Sequence, residues 1–246
     1  MLAKTPKYTP RRISLWSGPR NISTALMYSF AQREDTQVVD EPLYGYFLRH
    51  SDADTYHPGA AQTLQEMETD GPGAVKQMLS IDTSPIVFFK NMTHHLLDLD
   101  TGFLKKMYNV ILTRNPVEML PSIAKVIPAP TMKDVGYQRH VELLQEIKDM
   151  GLPVVVLDAK RVLLDPENQL SALCKTLGIP FDKNMLAWKP GARPEDGSWA
   201  RYWYANVHNS SGFQAYKPRT EPLPEHLKPL LAECMPYYEE LSKVAL

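Results

Sequence analysis

Cysteine is scarce in this chain. Cys174 and Cys234 are the only two among 246 residues, and no C-x-x-C pair occurs. A disulfide-stapled scaffold and a C-x-x-C zinc or redox motif are therefore excluded. Cys174 falls in the pattern Leu170, Leu173, Cys174, Leu177 and reads as a small buried hydrophobe. An excess of charge of one sign is also missing, with 27 Lys and Arg against 28 Asp and Glu. No overall field draws the chain to nucleic acid or anionic lipid, so any anion site must be local. Long apolar runs are missing as well; none approaches the roughly 20 residues that span a bilayer. The basic, proline-containing stretch Met1 to Arg12 leads into an apolar segment that ends at Ser17, too short for a secretory signal. The expected setting is the cytoplasm, with no nucleic-acid or membrane partner. Oligomeric state stays open, a homodimer included.

What is present is an ordinary globular composition, 43% hydrophobic and 22% charged. The length suits one domain over residues 1–246 with a core large enough to stand without metals. Four short apolar runs read as buried strands: Ile13 to Trp16, Ile86 to Phe89, Val110 to Leu112 and Val154 to Leu157. Gln37 to Val39 is a weaker fifth. Helical periodicity marks Ile22 to Phe30, Val117 to Val126, Val135 to Met150, Glu167 to Leu177 and a final helix around Glu225 to Leu241. That alternation predicts an α/β fold, a three-layer arrangement with a parallel sheet flanked by helices. Two segments break the alternation, Tyr44 to Gly73 and Ile127 to Gly136, and read as long functional loops. Residues Pro180 to Pro224 are dense in Trp, Tyr, Pro and Gly.

The most informative stretch runs from Ile13 to Leu26 (ISLWSGPRNISTAL): strand, glycine-containing turn, helix. The first N–H groups of a helix are unpaired and the helix dipole is positive there, so this turn makes an anion cradle. Arg20 adds a cation, and Ser23 and Thr24 add hydroxyl donors. The nucleotide-triphosphatase loop would read G-x-x-x-x-G-K-[ST]; here its second glycine and its lysine are absent, which disfavours ATP hydrolysis. A lone Walker-B-like candidate is Asp158, at the end of the Val154 to Leu157 strand. No metal is expected.

The segment Ser17 to Leu26 (SGPRNISTAL) resembles the 5'-phosphosulfate loop of the sulfotransferases, roughly P-[RK]-S-G-[ST]-[ST]-x-L. It departs at Asn21 and Ile22, where many members carry Ser-Gly. The segment Ile111 to Ser122 (ILTRNPVEMLPS) is similar to the family's 3'-phosphate element, an R-[DN]-P followed some residues later by serine. Arg114 leaves a strand end, Pro116 opens a helix, and Ser122 lies nearly two turns in. The segment from Val156 to Pro180, with Asp165, Pro166 and Gly178, resembles the family's later strand, Asp-Pro cap and Leu-Gly-Ile-Pro ending. In total the likeness touches Ile13 to about Gly212.

The resemblance implies a P-loop nucleotide-binding type of fold. It also implies 3'-phosphoadenosine-5'-phosphosulfate as co-substrate and a small-molecule acceptor of unread identity. Gly18, Pro19, Arg20, Asn21, Ile22, Ser23 and Thr24 would cradle the 5' end, and Arg114 and Ser122 the 3'-phosphate, with Lys217 and Arg219 as further candidates. Sulfuryl transfer asks for positioning, stabilisation of the leaving phosphate, and a base for the acceptor proton. Glu41, just past the weak second strand, is the first candidate base. Asp40 beside it would point away if the backbone stays extended. Lys90 is a candidate cation beside Arg20, and His94 a rival base, with His95 not separable from it by spacing. A P-loop small-molecule kinase and a non-catalytic nucleotide-binding protein remain as alternatives.

Overall fold

Strands buried on both faces carry apolar side chains at successive positions, and these strands do. The computed structural model describes residues 8–220 and 222–246; the first seven residues of the basic N-terminal stretch lie outside them. Among the described residues the sheet has five strands: β1 (Arg11–Ser17), β2 (Thr36–Asp40), β3 (Ile86–Met92), β4 (Tyr108–Thr113) and β5 (Val154–Asp158). They lie in the order β2-β3-β1-β4-β5, each neighbouring pair parallel. Ile13, Leu15, Phe88, Val110 and Leu157 face one layer, which includes Leu26, Phe30, Leu170 and Leu173. Trp16, Val87, Phe89, Ile111 and Val156 face the other, which includes Met78, Leu143, Ile147 and Leu241. The expected three-layer α/β fold is what forms.

The first layer is built by α1 (Ser23–Phe30) and, later in the chain, by α9 (Pro166–Thr176). The excursion after β2 is helical: α2 (Tyr44–Arg49), α3 (Ala60–Glu66) and α4 (Gly71–Ser80). The loop expected there is thus corrected. Tyr44, Phe47 and Leu48 bury one face of α2, and Asp70 caps α4 by accepting from the Gly73 N–H at 2.7 Å. After β4 come α5 (Pro116–Ile123), α6 (Met132–Val135) and α7 (Tyr137–Asp149). The second expected loop therefore holds a short helix, locked by a reciprocal box between Thr131 and Asp134. Gly136 at φ +71 separates α6 from α7, which is why the helix expected from Val135 starts later.

Beyond β5 follow α8 (Ala159–Leu164), α9 (Pro166–Thr176), α10 (Ala200–Trp203), α11 (Ala205–His208) and α12 (Lys228–Lys243). Asp165 and Pro166 open α9 and Gly178, at φ +64, follows its end, as expected. Among the described residues no helix is long and apolar enough to cross a membrane. Chain leaving β1 runs to one edge of the sheet and chain leaving β4 to the other. A crevice therefore opens at the carboxyl ends of these strands.

Candidate active site

Strands β1 to β4 lead at their carboxyl ends into residues that line this crevice, a cavity of about 380 Å³. The turn after β1 brings Pro19, Arg20, Asn21, Ile22, Ser23 and Thr24 to its wall. No side chain caps α1 at Ile22, so the first helical N–H groups stay open for a ligand. Gly18 lies beneath the turn instead of on the wall. A side chain there would come within 2.9 Å of the Val135 carbonyl, so only glycine lets the backbone pass.

The turn after β4 is tied directly to it. The Arg20 Nε donates to Ser122 Oγ at 3.0 Å, and Arg114 Nη1 donates to the Arg20 carbonyl at 2.9 Å. Asn21 Nδ2 donates to the Leu112 carbonyl at 3.1 Å, anchoring the turn to β4. Two elements about 100 residues apart thus form one basic wall, as the SGPRN and RNP segments suggested. Burial, with Arg114 close by, holds the Arg20 pKa below its ordinary value. Lys217 also lines the cavity.

Past β2, Glu41 departs from the expected extended backbone. Its φ is +44, and Arg20 has φ +52. Both are non-glycine residues in the left-handed region, a conformation that concentrates where function demands it. The turn at Glu41 overrides the pleat that would separate it from Asp40. Both carboxylates reach Lys90 on β3: Nζ donates to Asp40 Oδ1 at 3.0 Å and to Glu41 Oε1. The third Lys90 proton goes to Tyr204 Oη at 2.5 Å. All three Lys90 N–H groups thus have protein acceptors.

Two carboxylates share one ammonium, and they share it unequally. Asp40 also accepts from Tyr204 Oη at 2.8 Å and from the Gly197 N–H at 3.2 Å. Trp199 Nε1 donates to that same phenol oxygen at 3.2 Å. Glu41 Oε2, by contrast, accepts no hydrogen bond among the described residues, and His95 Nδ1 lies 4.0 Å from it. Burial, the largest influence, raises the Glu41 carboxyl, with Lys90 opposing and Asp40 adding to it. Burial alone would lower Lys90, but the two carboxylates outweigh it and keep the ammonium charged.

His94 and His95 both line the cavity, with His57 from the segment between α2 and α3. The His95 ring stacks on Tyr44, at 4.9 Å, and on Phe47, at 4.6 Å. Burial pushes His57 down to about 4, His94 to about 3 and His95 well below its ordinary value. All three are neutral at pH 7. Sequence reasoning marked the segments that hold His57, Asp134 and Tyr204 without singling these residues out, and it expected Asp40 to point away from Glu41. Only Asp134 carried a local signal, the T-x-x-D capping box that starts at Thr131.

Asp158 lies elsewhere in role. Its Oδ1 accepts from the Lys160 and Arg161 N–H groups at 2.8 and 3.3 Å, and its Oδ2 from Tyr238 Oη at 3.0 Å. These bonds make it the cap of α8, not a metal carboxylate. Asp158→Ala is expected to lower stability by about 1–2 kcal/mol in urea denaturation and to leave nucleotide affinity unchanged in calorimetry. Among the described residues no group of three or more His, Cys, Asp and Glu side chains is placed to hold a metal ion.

A family model described as a sulfotransferase domain matches residues 11–245. Two Arabidopsis thaliana proteins, branched-chain-amino-acid aminotransferase-like proteins 1 and 2, are 41% and 39% identical over 236 and 233 residues. Those alignments cover 94% and 93% of this chain but 42% and 41% of the relatives. The chain thus spans about two-fifths of their length. Among solved structures, the sulfotransferase domain of the Synechococcus PCC 7002 olefin synthase superposes with a TM-score of 0.53 at 17% identity, covering 96% of this chain and 98% of that one. A sulfotransferase from Alicyclobacillus acidocaldarius superposes at 0.52 with 12% identity, covering 96% of both chains. At such identities the likeness is one of fold. Since the family model takes in nearly every residue from β1 to the end of α12, the chain belongs to the sulfotransferase family.

Proposed function

We propose that this protein moves a sulfuryl group from 3'-phosphoadenosine-5'-phosphosulfate to a hydroxyl or amine of a small acceptor. The observation that carries this reading is the joining of Arg20 to Ser122 and of Arg114 to the Arg20 carbonyl, in a cavity that Glu41 also lines. A donor set of helix N–H groups, hydroxyls and guanidinium groups suits oxyanions at both ends of such a nucleotide. Gly18 to Thr24 would hold the 5' end, and Arg114 and Ser122 the 3'-phosphate. When bound, the nucleotide supplies an activated sulfuryl group and a phosphate that leaves.

The chain supplies the remaining chemistry. Glu41, with one open carboxylate oxygen and a raised pKa, takes the acceptor proton. Arg20 offsets charge on the leaving side. Lys90, Asp40 and Tyr204 hold the base in place, and His94 and His95, both neutral, shape the acceptor side. The near-even charge balance supports a small acceptor over nucleic acid, and two free buried cysteines fit a reducing setting such as the cytoplasm.

Calorimetric titration with 3'-phosphoadenosine-5'-phosphate, with ATP plus magnesium as the comparison, tests the donor assignment. The bisphosphate is expected to bind more tightly, and Arg20→Ala or Arg114→Ala each to weaken it about 10- to 100-fold. Preference for ATP with magnesium would replace this reading with a kinase. Binding without turnover across an acceptor screen would favour a non-catalytic nucleotide-binding protein.

A further inference from the structure

Charge is divided within the cavity. Arg20 and Arg114 meet on the wall formed by the turns after β1 and β4. The other wall carries Glu41 and Asp134, both buried. Lys90 lies on that wall too, and its single charge is shared between Asp40 and Glu41. The three histidines there are kept neutral by burial. Three carboxylates, Asp40, Glu41 and Asp134, thus stand against one ammonium on this side, and Asp134 is held only by hydrogen bonds from Tyr56 and Thr131. An anionic acceptor would meet repulsion there, and a cationic one attraction.

Two further features point to a ligand. The His95 Nδ1 is buried without a hydrogen-bond partner, on a residue 2% exposed. It stands 4.0 Å from Glu41 Oε2. A hydroxyl oxygen about 2.8 Å from each would bridge them, accepting from one and donating to the other. Beside this gap the aromatic rings gather around His57. Its ring centroid lies 5.1 Å from Tyr56 and 6.0 Å from Trp203, and its Nδ1 is 2.9 Å from Tyr44 Oη. Tyr56 Oη in turn donates to Asp134 Oδ1 at 2.8 Å. Ring faces next to a buried carboxylate are a receptor for an ammonium group.

We propose that the acceptor is a small hydroxylated cation, an amino alcohol or its quaternary ammonium counterpart. Its hydroxyl lies between Glu41 and His95, and its cationic group lies against Asp134 and the rings of His57 and Trp203. The assignment rests on the sulfuryl-transfer reading above. In the step it implies, Glu41 takes the hydroxyl proton and the acceptor oxygen forms a bond to sulfur. The bond from sulfur to the phosphate oxygen breaks, so the products are the sulfate ester and 3'-phosphoadenosine-5'-phosphate. The cation takes no part in the bond changes and keeps its charge throughout.

The test is a set of calorimetric titrations, on the free protein and on protein saturated with 3'-phosphoadenosine-5'-phosphate. The probes are choline, its uncharged isostere 3,3-dimethylbutanol, and the anion glycolate. Choline is expected to bind at least about tenfold more tightly than the isostere, with glycolate weakest. Asp134→Asn, which keeps an oxygen for the Thr131 cap, is expected to remove most of that difference without changing bisphosphate affinity. Equal binding of choline and isostere, preference for glycolate, or no choline binding in either state would overturn the proposal. Choline preference without bisphosphate affinity would overturn the donor assignment and leave the acceptor wall standing.

Discussion

Replacing Glu41 with glutamine is expected to reduce turnover about a thousandfold while leaving the affinity for 3'-phosphoadenosine-5'-phosphate within about twofold of the parent. The amide keeps the size of the side chain and its Oε1 contact with Lys90 but loses the proton-accepting charge. On the proposed donor assignment, affinity rests on the other wall, where Arg20, Ser122 and Arg114 are linked to each other and not to Glu41. Turnover is read as donor consumption with the best acceptor from a screen, and affinity by calorimetry. His94→Ala in parallel is expected to cost far less, because a ring pushed down to about 3 is a weak base. Near-normal turnover in Glu41→Gln would remove Glu41 from the role of base. The pH profile has a definite sign. The base acts deprotonated and burial raises its pKa, so activity is lost as pH falls, at a pH above the ordinary glutamate value.

Lys90→Met should be the most destabilising single substitution in the site. Lys90 is 1% exposed and bonds to Asp40, Glu41 and Tyr204 at once. Removing the cation from a buried pair costs about 3–5 kcal/mol, because the carboxylates stay buried without it. For a chain of this size the melting temperature should fall by about 10 °C or more. The loss depends on pH. In the variant Glu41 is buried without the lysine that opposes the effect of burial, so its folded pKa lies above the unfolded one. Such groups contribute stability that is present below the unfolded pKa and is lost as pH rises through the folded value. Thermal denaturation should therefore show a smaller deficit at pH 5 than at pH 8. A deficit independent of pH would mean that Glu41 does not carry the charge assigned to it. Adding Asp40→Asn and Glu41→Gln to Lys90→Met should recover part of the loss.

Much of the fold was legible because its signals are local. The apolar runs from Ile13, Ile86, Val110 and Val154 each became a strand. Asn115 with Pro116, and Asp165 with Pro166, cap α5 and α9 through atoms within a few residues. The segment from Tyr44 to Gly73 misled because its helices are short and broken by turns, and each buries its face only against the rest of the molecule. In the site, the two turns at the ends of β1 and β4 could be read from their own residues.

The sequence by itself therefore determined the strand runs of the parallel sheet, the helix caps and the basic residues at the turns after β1 and β4. These depend on side-chain periodicity and on bonds between near neighbours in the chain. Tertiary structure alone decided how the charges are shared. Tyr204 reaches Asp40 across 164 positions of sequence, and the left-handed turn at Glu41 brings two adjacent carboxylates to one lysine. Asp40 is satisfied by partners from distant segments and Glu41 is left with an open oxygen. Which of two neighbouring acids is free to act depends on burial and on remote partners, and neither is written in the spacing of residues along the chain.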